Sequence, residues 1–265
     1  MELVPQMDGW IIGDDPATAR VFQAGARGRL KAAVKWGVGV DNVDFQAAKT
    51  YGLDVINTPG MFSEEVSDVA VGYLIGLARN LFAIDRAVRA GAWPKPAGSS
   101  LQGKTAAIIG FGNIGRATTR KLLAMGLKVF AYDPQYHSDQ SLPVEPFSWP
   151  ANLNKADFLV FTCALTPSSR GMLNSKTLSA CKRGVRVINV GRGPLVDETA
   201  LVHALQTGLV AGAALDVFAE EPLQADSPLR HFPQCVFGSH NSSNTLEAVE
   251  KTSLRAIQLL FERLA

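Results

Sequence analysis

The feature that most restricts how this 265-residue chain can fold is a series of short, largely apolar and β-branched runs without strict alternation: 9–12, 32–34, 54–56, 105–109, 128–131, 158–161, 186–190, 210–215 and 234–237. Strands that are apolar at every residue, rather than at alternate ones, belong to a sheet covered on both faces. Parallel strands joined by crossover helices make such sheets. Segments between the runs carry helical spacing, for example 116–125 and 198–207, where Leu201, Val202 and Leu205 cluster on one side. The expected class is α/β with a doubly wound parallel sheet. One stretch departs from this rhythm. "SEEVSDVAVGYLIGLARNLFAIDRAVRAGA", 63–92, keeps a helical pattern from a start rich in caps and acids, then breaks at the Pro-, Gly- and Ser-rich "GAWPKPAGSSLQGK". It predicts one long helix, or two in series, leaving one domain and entering another.

Composition narrows the function. A formal net charge of +2 gives no reason to expect nucleic acid or an anionic membrane as partner. No run approaches the roughly twenty apolar residues that span a bilayer. The start "MELVPQMDGW" lacks the cationic-then-apolar order of a secretory leader. Three widely spaced cysteines, Cys163, Cys181 and Cys235, suggest neither a disulfide framework nor a metal knuckle, and a reducing cytoplasm suits them. No metal is expected.

The strongest local motif is "TAAIIGFGNIGRATTRKLLAMGLKVFAYD". Gly110, Gly112 and Gly115 form G-x-G-x-x-G between a strand-like and a helical run. The first glycine permits a tight turn, the second lets a pyrophosphate approach the backbone, and the third lets helix and strand pack closely. The phosphates would sit on the helix N-terminus, where free N–H groups favour an anion. A second strand then ends in Asp133, 18 residues after Gly115. An acid there can accept from both ribose hydroxyls and repels a 2′-phosphate, so NAD is expected over NADP. The competing role for Asp133 is a cap on the turn before Pro134.

A second constellation surrounds "VRVINVGRGPLVDET". Its apolar run empties into Gly191-Arg192-Gly193, placing a permanent cation at the mouth of a core strand. Such a residue is costly to bury unless an anion meets it. Two later runs end similarly, with Asp216 and the adjacent Glu220 and Glu221, then with His240. Residues just past the carboxyl ends of strands line the ligand crevice of a doubly wound sheet. Oxidising a 2-hydroxy acid requires a base for the hydroxyl proton, for which His240 is suited. A carboxylate on the imidazole would orient it. Arg192 can clamp a substrate carboxylate through its planar fork and polarise the C2 oxygen. The anion that explains Arg192 is then the substrate. Residue types alone do not choose between Glu220 and Glu221, and Asp216 could simply cap its strand.

From about Gly9 onward the chain resembles the D-isomer-specific 2-hydroxy acid dehydrogenases, through "GVGVDNVD" (37–44), "NTPG" (57–60), "GFGNIG" (110–115), "NVGRGPLVDE" (189–198), "ALDVFAEEP" (214–222) and the histidine of "GSHNSSNT" (238–245). The resemblance implies a catalytic set of Arg192, Glu221 and His240, with Asp216 on the nicotinamide amide. It implies a cofactor site lined by Asn113, Ile114, Asp133, Cys163, Val190, Gly191, Arg192 and His240 to Ser243, including Ser242. It also implies a Rossmann cofactor domain, 73–241, inserted into a smaller flavodoxin-like substrate domain, 1–72 with 242–265, and a homodimer built on the long helices. Members usually begin with a further strand and helix, so the substrate domain is expected to be truncated at its N-terminus. Within the family, the run from Cys181 to Pro222 most resembles 3-phosphoglycerate dehydrogenases. Lys35, just before Val38 and Gly39 of the first motif, is the cation that could meet a phosphate, and these three with Arg192 are the expected substrate contacts. The polar "SHNSSN" departs from the family's commoner small or apolar residues. The leading expectation is an NAD-dependent oxidoreductase acting on a D-2-hydroxy acid, 3-phosphoglycerate first. The alternative is a non-catalytic NAD-binding paralogue or sensor.

Overall fold

The structure, a computed structural model, describes residues 2–265. These form two compact units, one built from the residues through Phe62 together with Ser243–Ala265, the other from the intervening Ser63–Ser242.

The smaller unit carries a parallel sheet of β1 (Gly9–Ile12), β2 (Ala32–Lys35) and β3 (Asp54–Asn57), in that spatial order. Two helices, α1 (Ala19–Arg27) and α2 (Phe45–Thr50), close one core around Phe22, Ile12, Ala33 and Leu53. The final helix, α8 (Leu246–Leu264), closes the other through Ala256 and Leu259 against Val34. Polar residues set the helix starts. Asp44 accepts from Ala47 N at 2.8 Å and Thr245 from Ala248 N at 3.1 Å, contacts worth about 1 kcal/mol each.

The larger unit is a seven-stranded, all-parallel sheet made of β4 (Thr105–Ile109), β5 (Lys128–Tyr132), β6 (Glu145–Pro146), β7 (Phe158–Phe161), β8 (Val185–Asn189), β9 (Val210–Leu215) and β10 (Cys235–Phe237). Every residue of β4 and β7 is buried, which is why those strands read as unbroken apolar runs. The strand order is β10-β9-β8-β7-β4-β5-β6. The chain moves from β4 to β5 and β6 on one side, then returns to β7 on the other. A doubly wound sheet opens its ligand crevice at such a reversal. Helices α5 (Asn113–Ala124), α6 (Ser175–Ser179) and α7 (Glu198–Gln206) complete the crossovers.

Two features differ from the sequence reading. The strand β6 went unrecognised, because two exposed residues, one of them proline, carry neither alternation nor an apolar run. The unit boundary lies after Phe62 rather than after residue 72. Residues 63–72 begin α3 (Ser63–Arg79), one continuous helix that packs on α5. The Lys121 ammonium of α5 ties that first half down, 2.6 Å from Asp68 and 3.0 Å from Glu64. The helical stretch is two helices in series: α3 ends where Asn80 adopts a left-handed φ of 57°, and α4 (Leu81–Arg89) leaves at 68° to it. Both lie within the larger unit. No single helix among the described residues is long and apolar enough to cross a membrane.

Candidate cofactor and catalytic site

At the reversal point, the three glycines of the β4–α5 turn are required for different reasons. Gly110 has φ +97°, and a Cβ there would lie 2.5 Å from the backbone of Cys163, on the loop after β7. A Cβ on Gly115 would lie 2.0 Å from the Gly110 carbonyl. Both glycines let backbone pack on backbone. Gly112 has no such reason: nothing in the protein comes within 4 Å of the missing Cβ. Its bareness opens space directly before α5, whose N-terminus at Asn113 and Ile114 no side chain caps. Unclaimed N–H groups beside an open glycine form a cradle for a phosphate anion.

Asp133 ends β5 and faces this turn. Its Oδ2 accepts from Phe111 N at 2.7 Å and its Oδ1 from Gln135 N at 2.8 Å. The capping role weighed from sequence is therefore present. A carboxylate offers about four acceptor positions, so capacity remains for ribose hydroxyls. The Cys163 thiol sits 3.9 Å from the Met172 sulfur, and burial pushes its pKa up to about 11, so it lines the turn as a neutral apolar group. The residues fit a dinucleotide: an open anion slot, a neutral wall and an acid at the neighbouring strand end.

The ends of the adjacent strands β8, β9 and β10 carry the second constellation. After β8, Asn189 shapes the loop, accepting from Gly191 N at 3.1 Å and donating to the Arg192 carbonyl at 2.9 Å. Val190 and Gly191 are buried, while the half-buried Arg192 turns Nη1 onto the Gly191 carbonyl at 2.8 Å. A Cβ on Gly193 would lie 1.8 Å from the Phe218 carbonyl, so this loop lies directly against the one after β9. Glu198, at the start of α7, accepts from Ala219 N at 2.7 Å and ties the same two loops together.

Within the β9 loop it is Glu221, not Glu220, that turns toward the histidine. One oxygen accepts from Phe218 N at 2.9 Å and the other lies 2.7 Å from His240 Nδ1. Glu220 instead accepts from Gln224 at 3.0 Å. His240 has a left-handed φ of 56° and its ring is 46% exposed, so the imidazole is held yet reachable. Asp216 is 1% exposed, and its carboxylate accepts from Asn241 N at 3.3 Å and from the buried Ser242 N at 2.9 Å. Its Oδ1 and the Tyr73 hydroxyl of α3 both crowd the bare Gly238, where a Cβ would lie 2.0 Å and 2.5 Å from them, and burial with the Asp216 charge pushes the phenol pKa up to about 12.

The remaining candidates belong to the smaller unit. Lys35 is not at a solvated rim: its side chain is 6% exposed, with Nζ donating to the Gly13 carbonyl at 2.5 Å and lying 3.5 Å from Asp14. Val38 is exposed, Gly39 half-buried, and the Val38 carbonyl accepts from Asn57 at 3.1 Å. Ser243 is the first residue of the C-terminal segment of this unit and is half-buried. Among the described residues no three His, Cys, Asp or Glu side chains gather as a metal site. Sequence reasoning passed over Asn189, Glu198 and Tyr73. The first two lie inside a quoted motif, but their task is to shape loops, which no residue type announces. Tyr73 sits mid-helix with no local signal at all.

Comparison with known proteins extends this picture. The model of the D-isomer-specific 2-hydroxyacid dehydrogenase NAD-binding domain matches residues 71–242. The chain is 40% identical over 241 residues to D-3-phosphoglycerate dehydrogenase 2 of Arabidopsis thaliana, covering 89% of this chain and 38% of that protein. It is 34% identical over 269 residues to a hydroxypyruvate reductase of Thermotoga maritima, covering 100% of this chain and 87% of that one. Among solved structures, a glyoxylate reductase from Paecilomyes thermophila superposes with a TM-score of 0.91 at 29% identity, covering 99% of this chain and 84% of the other. The chain thus spans about two fifths of the length of the plant phosphoglycerate dehydrogenases it matches, 38% and 43%.

Proposed function

Because the chain belongs to the D-isomer-specific 2-hydroxyacid dehydrogenase family, we propose that it interconverts a D-2-hydroxy acid and its 2-oxo acid. The observation that carries this reading is the 2.7 Å contact between Glu221 Oε2 and His240 Nδ1. With Nδ1 engaged, Nε2 is the nitrogen left to face a substrate hydroxyl. In the oxidative direction it takes the O–H proton while C2 loses its hydrogen as hydride and the C2–O bond becomes a carbonyl. In reduction the imidazolium returns the proton. NAD, when bound, accepts or supplies the hydride. Arg192 holds the substrate carboxylate with its fork and stabilises negative charge on the C2 oxygen. Glu221 keeps the ring in one tautomer and orientation, as the third member of nucleophile–base–orienter sets does.

For the substrate, the likeness to phosphoglycerate dehydrogenases makes 3-phosphoglycerate the first reading. Lys35 favours a second, an unphosphorylated short acid such as hydroxypyruvate or glyoxylate, because its ammonium is already engaged inside the smaller unit. NADH oxidation measured with 3-phosphohydroxypyruvate, hydroxypyruvate and glyoxylate, beside an NADH fluorescence titration, decides between them. NADH binding without turnover of any oxo acid overturns the enzyme reading in favour of a binding module. We also read the protein as a homodimer: α4 buries none of its residues within the chain, and Leu81, Phe82, Val88 and Trp93 are exposed. Light scattering on the purified protein tests this. The three free cysteines suit a reducing, cytoplasmic setting.

A further inference from the structure

The fourth residue of α5 is a cation, Arg116, in a helix whose N-terminus follows an open glycine. Side chains of a helix lean toward its N-terminus. The guanidinium accordingly returns over the turn that precedes the helix, 4.7 Å from the centre of the Phe111 ring. The Phe111 amide is the one that donates to Asp133, at 2.7 Å. A positive charge therefore stands on the same turn as the acid expected to receive the adenosine ribose. The two residues pull in opposite directions. An acid at this strand end repels a ribose 2′-phosphate, whereas an arginine nearby accommodates one.

The loop after β5 settles that conflict. It turns back on Asp133, whose carbonyl accepts from Tyr136 N at 3.1 Å, and brings the Tyr136 ring 5.5 Å from that of Phe111. Asp139 of the same loop then meets Arg116. Its Oδ2 accepts from Nη1 at 3.3 Å, while the His137 carbonyl accepts from Nη2 at 2.9 Å. The other carboxylate oxygen, Oδ1, accepts from Ser141 N at 3.0 Å and from the Ser141 hydroxyl at 2.6 Å. The Asp139 carbonyl accepts from the N–H of the buried Leu142 at 3.0 Å. The carboxylate is thus anchored by its own loop before it takes up the guanidinium. With 26% and 34% of the two side chains exposed, solvent screens the pair only in part. We propose that Asp139 is a second determinant of cofactor choice: by holding Arg116 it withholds from the adenosine ribose the cation that a 2′-phosphate would use.

This inference rests on the reading of Asp133 as the ribose acid and involves none of the catalytic residues, so dinucleotide binding tests it without turnover. Asp139→Asn keeps the oxygen that Ser141 holds and removes the charge that pairs with Arg116. Its Kd for NADPH should fall by roughly tenfold, the factor of one charge-assisted hydrogen bond gained. The Kd for NADH should move by less than about threefold, as for a charge that makes no direct contact, and the Tm should stay close to that of the parent. Raising the salt should shrink the NADPH gain, because a phosphate contact at a partly exposed site is screened. Adding Arg116→Gln to Asp139→Asn should abolish the gain, since the freed guanidinium is what meets the phosphate. Fluorescence titration with NADH and NADPH at low and high salt, beside thermal melting, reads the parent and both variants. An unmoved NADPH Kd in Asp139→Asn, or a gain that survives the loss of Arg116, overturns the proposal. A parent that binds NADPH as tightly as NADH overturns the reading of Asp133 along with it. A parent that binds NADH but reduces no oxo acid sinks the enzyme reading alone, and the contrast between the variants still decides the role of Asp139.

Discussion

Glu221 serves two masters at once: Oε1 accepts the Phe218 amide at 2.9 Å and Oε2 meets His240 Nδ1 at 2.7 Å. The carboxylate is thereby fixed to its own loop before it orients the ring. The imidazole sits on a separate strand end and gains a defined direction from a group that cannot rotate freely.

Replacing Glu221 by Gln leaves one acceptor for two donors, so either the loop or the ring loses its bond. Turnover should fall by roughly 10²-fold, toward the contribution of general acid–base catalysis itself, with NADH affinity little changed. His240→Ala should lose at least as much. Stopped-flow reduction of an oxo acid, with an NADH fluorescence titration on each variant, checks both. Unchanged turnover in either variant removes the mechanism.

Arg192→Lys keeps the charge but removes the planar fork. If Arg192 clamps the substrate carboxylate and stabilises the C2 oxygen, kcat/KM should fall by about 10²–10³-fold, as when an oxyanion donor is lost. Steady-state kinetics decide it. Retention of kcat/KM within twofold means that charge alone is used.

The glycines of the β4–α5 turn should part company. Gly115→Ala forces a Cβ to within 2.0 Å of the Gly110 carbonyl and should cost about 1–3 kcal/mol of stability. Gly112→Ala meets no protein atom and should cost under about 1 kcal/mol, yet weaken NADH binding. Urea unfolding and NADH titration on the two variants read this contrast, and a Gly112→Ala variant that binds NADH normally argues against a pyrophosphate at that turn.

Lys35→Met retains the buried stem and removes the ammonium that meets the Gly13 carbonyl and Asp14. Because that ammonium is already engaged, the variant should lose stability and alter KM for phosphorylated and plain substrates by the same factor. A selective rise in KM for the phosphorylated acid would return Lys35 to the role of phosphate contact.

Much of the larger unit is readable because burial on both faces of a parallel sheet forces unbroken apolar strands, so the run 158–161 became β7 without change. The helical spacing over 198–207 likewise became α7, and the structure adds Asp197 as its cap, with its carboxylate accepting from Ala200 N at 3.0 Å. By contrast β6 was invisible, because two exposed residues paired on a sheet edge need no particular side chain. The first boundary of the inserted unit also differs from the sequence reading, which placed it after residue 72 rather than after Phe62. Nothing local in 63–72 says which neighbour α3 will choose, and it is the Lys121 pairing across to Asp68 and Glu64 that binds its first turns to the larger unit.

By itself the sequence determined the α/β class, the glycine turn with its acid one strand away, and the residue types capable of acid–base and anion-binding work. Each is a local requirement, met by residues adjacent along the chain or repeated at strand and helix periods. Tertiary structure decided what residue types left open, that Glu221 rather than Glu220 meets the imidazole as the resemblance implied, that Lys35 is spent inside its own unit, and that Tyr73 and Asp216 converge on the bare Gly238. Those outcomes depend on the directions in which side chains leave separate strand ends, and direction is a property of the packed sheet that no spacing along the chain encodes.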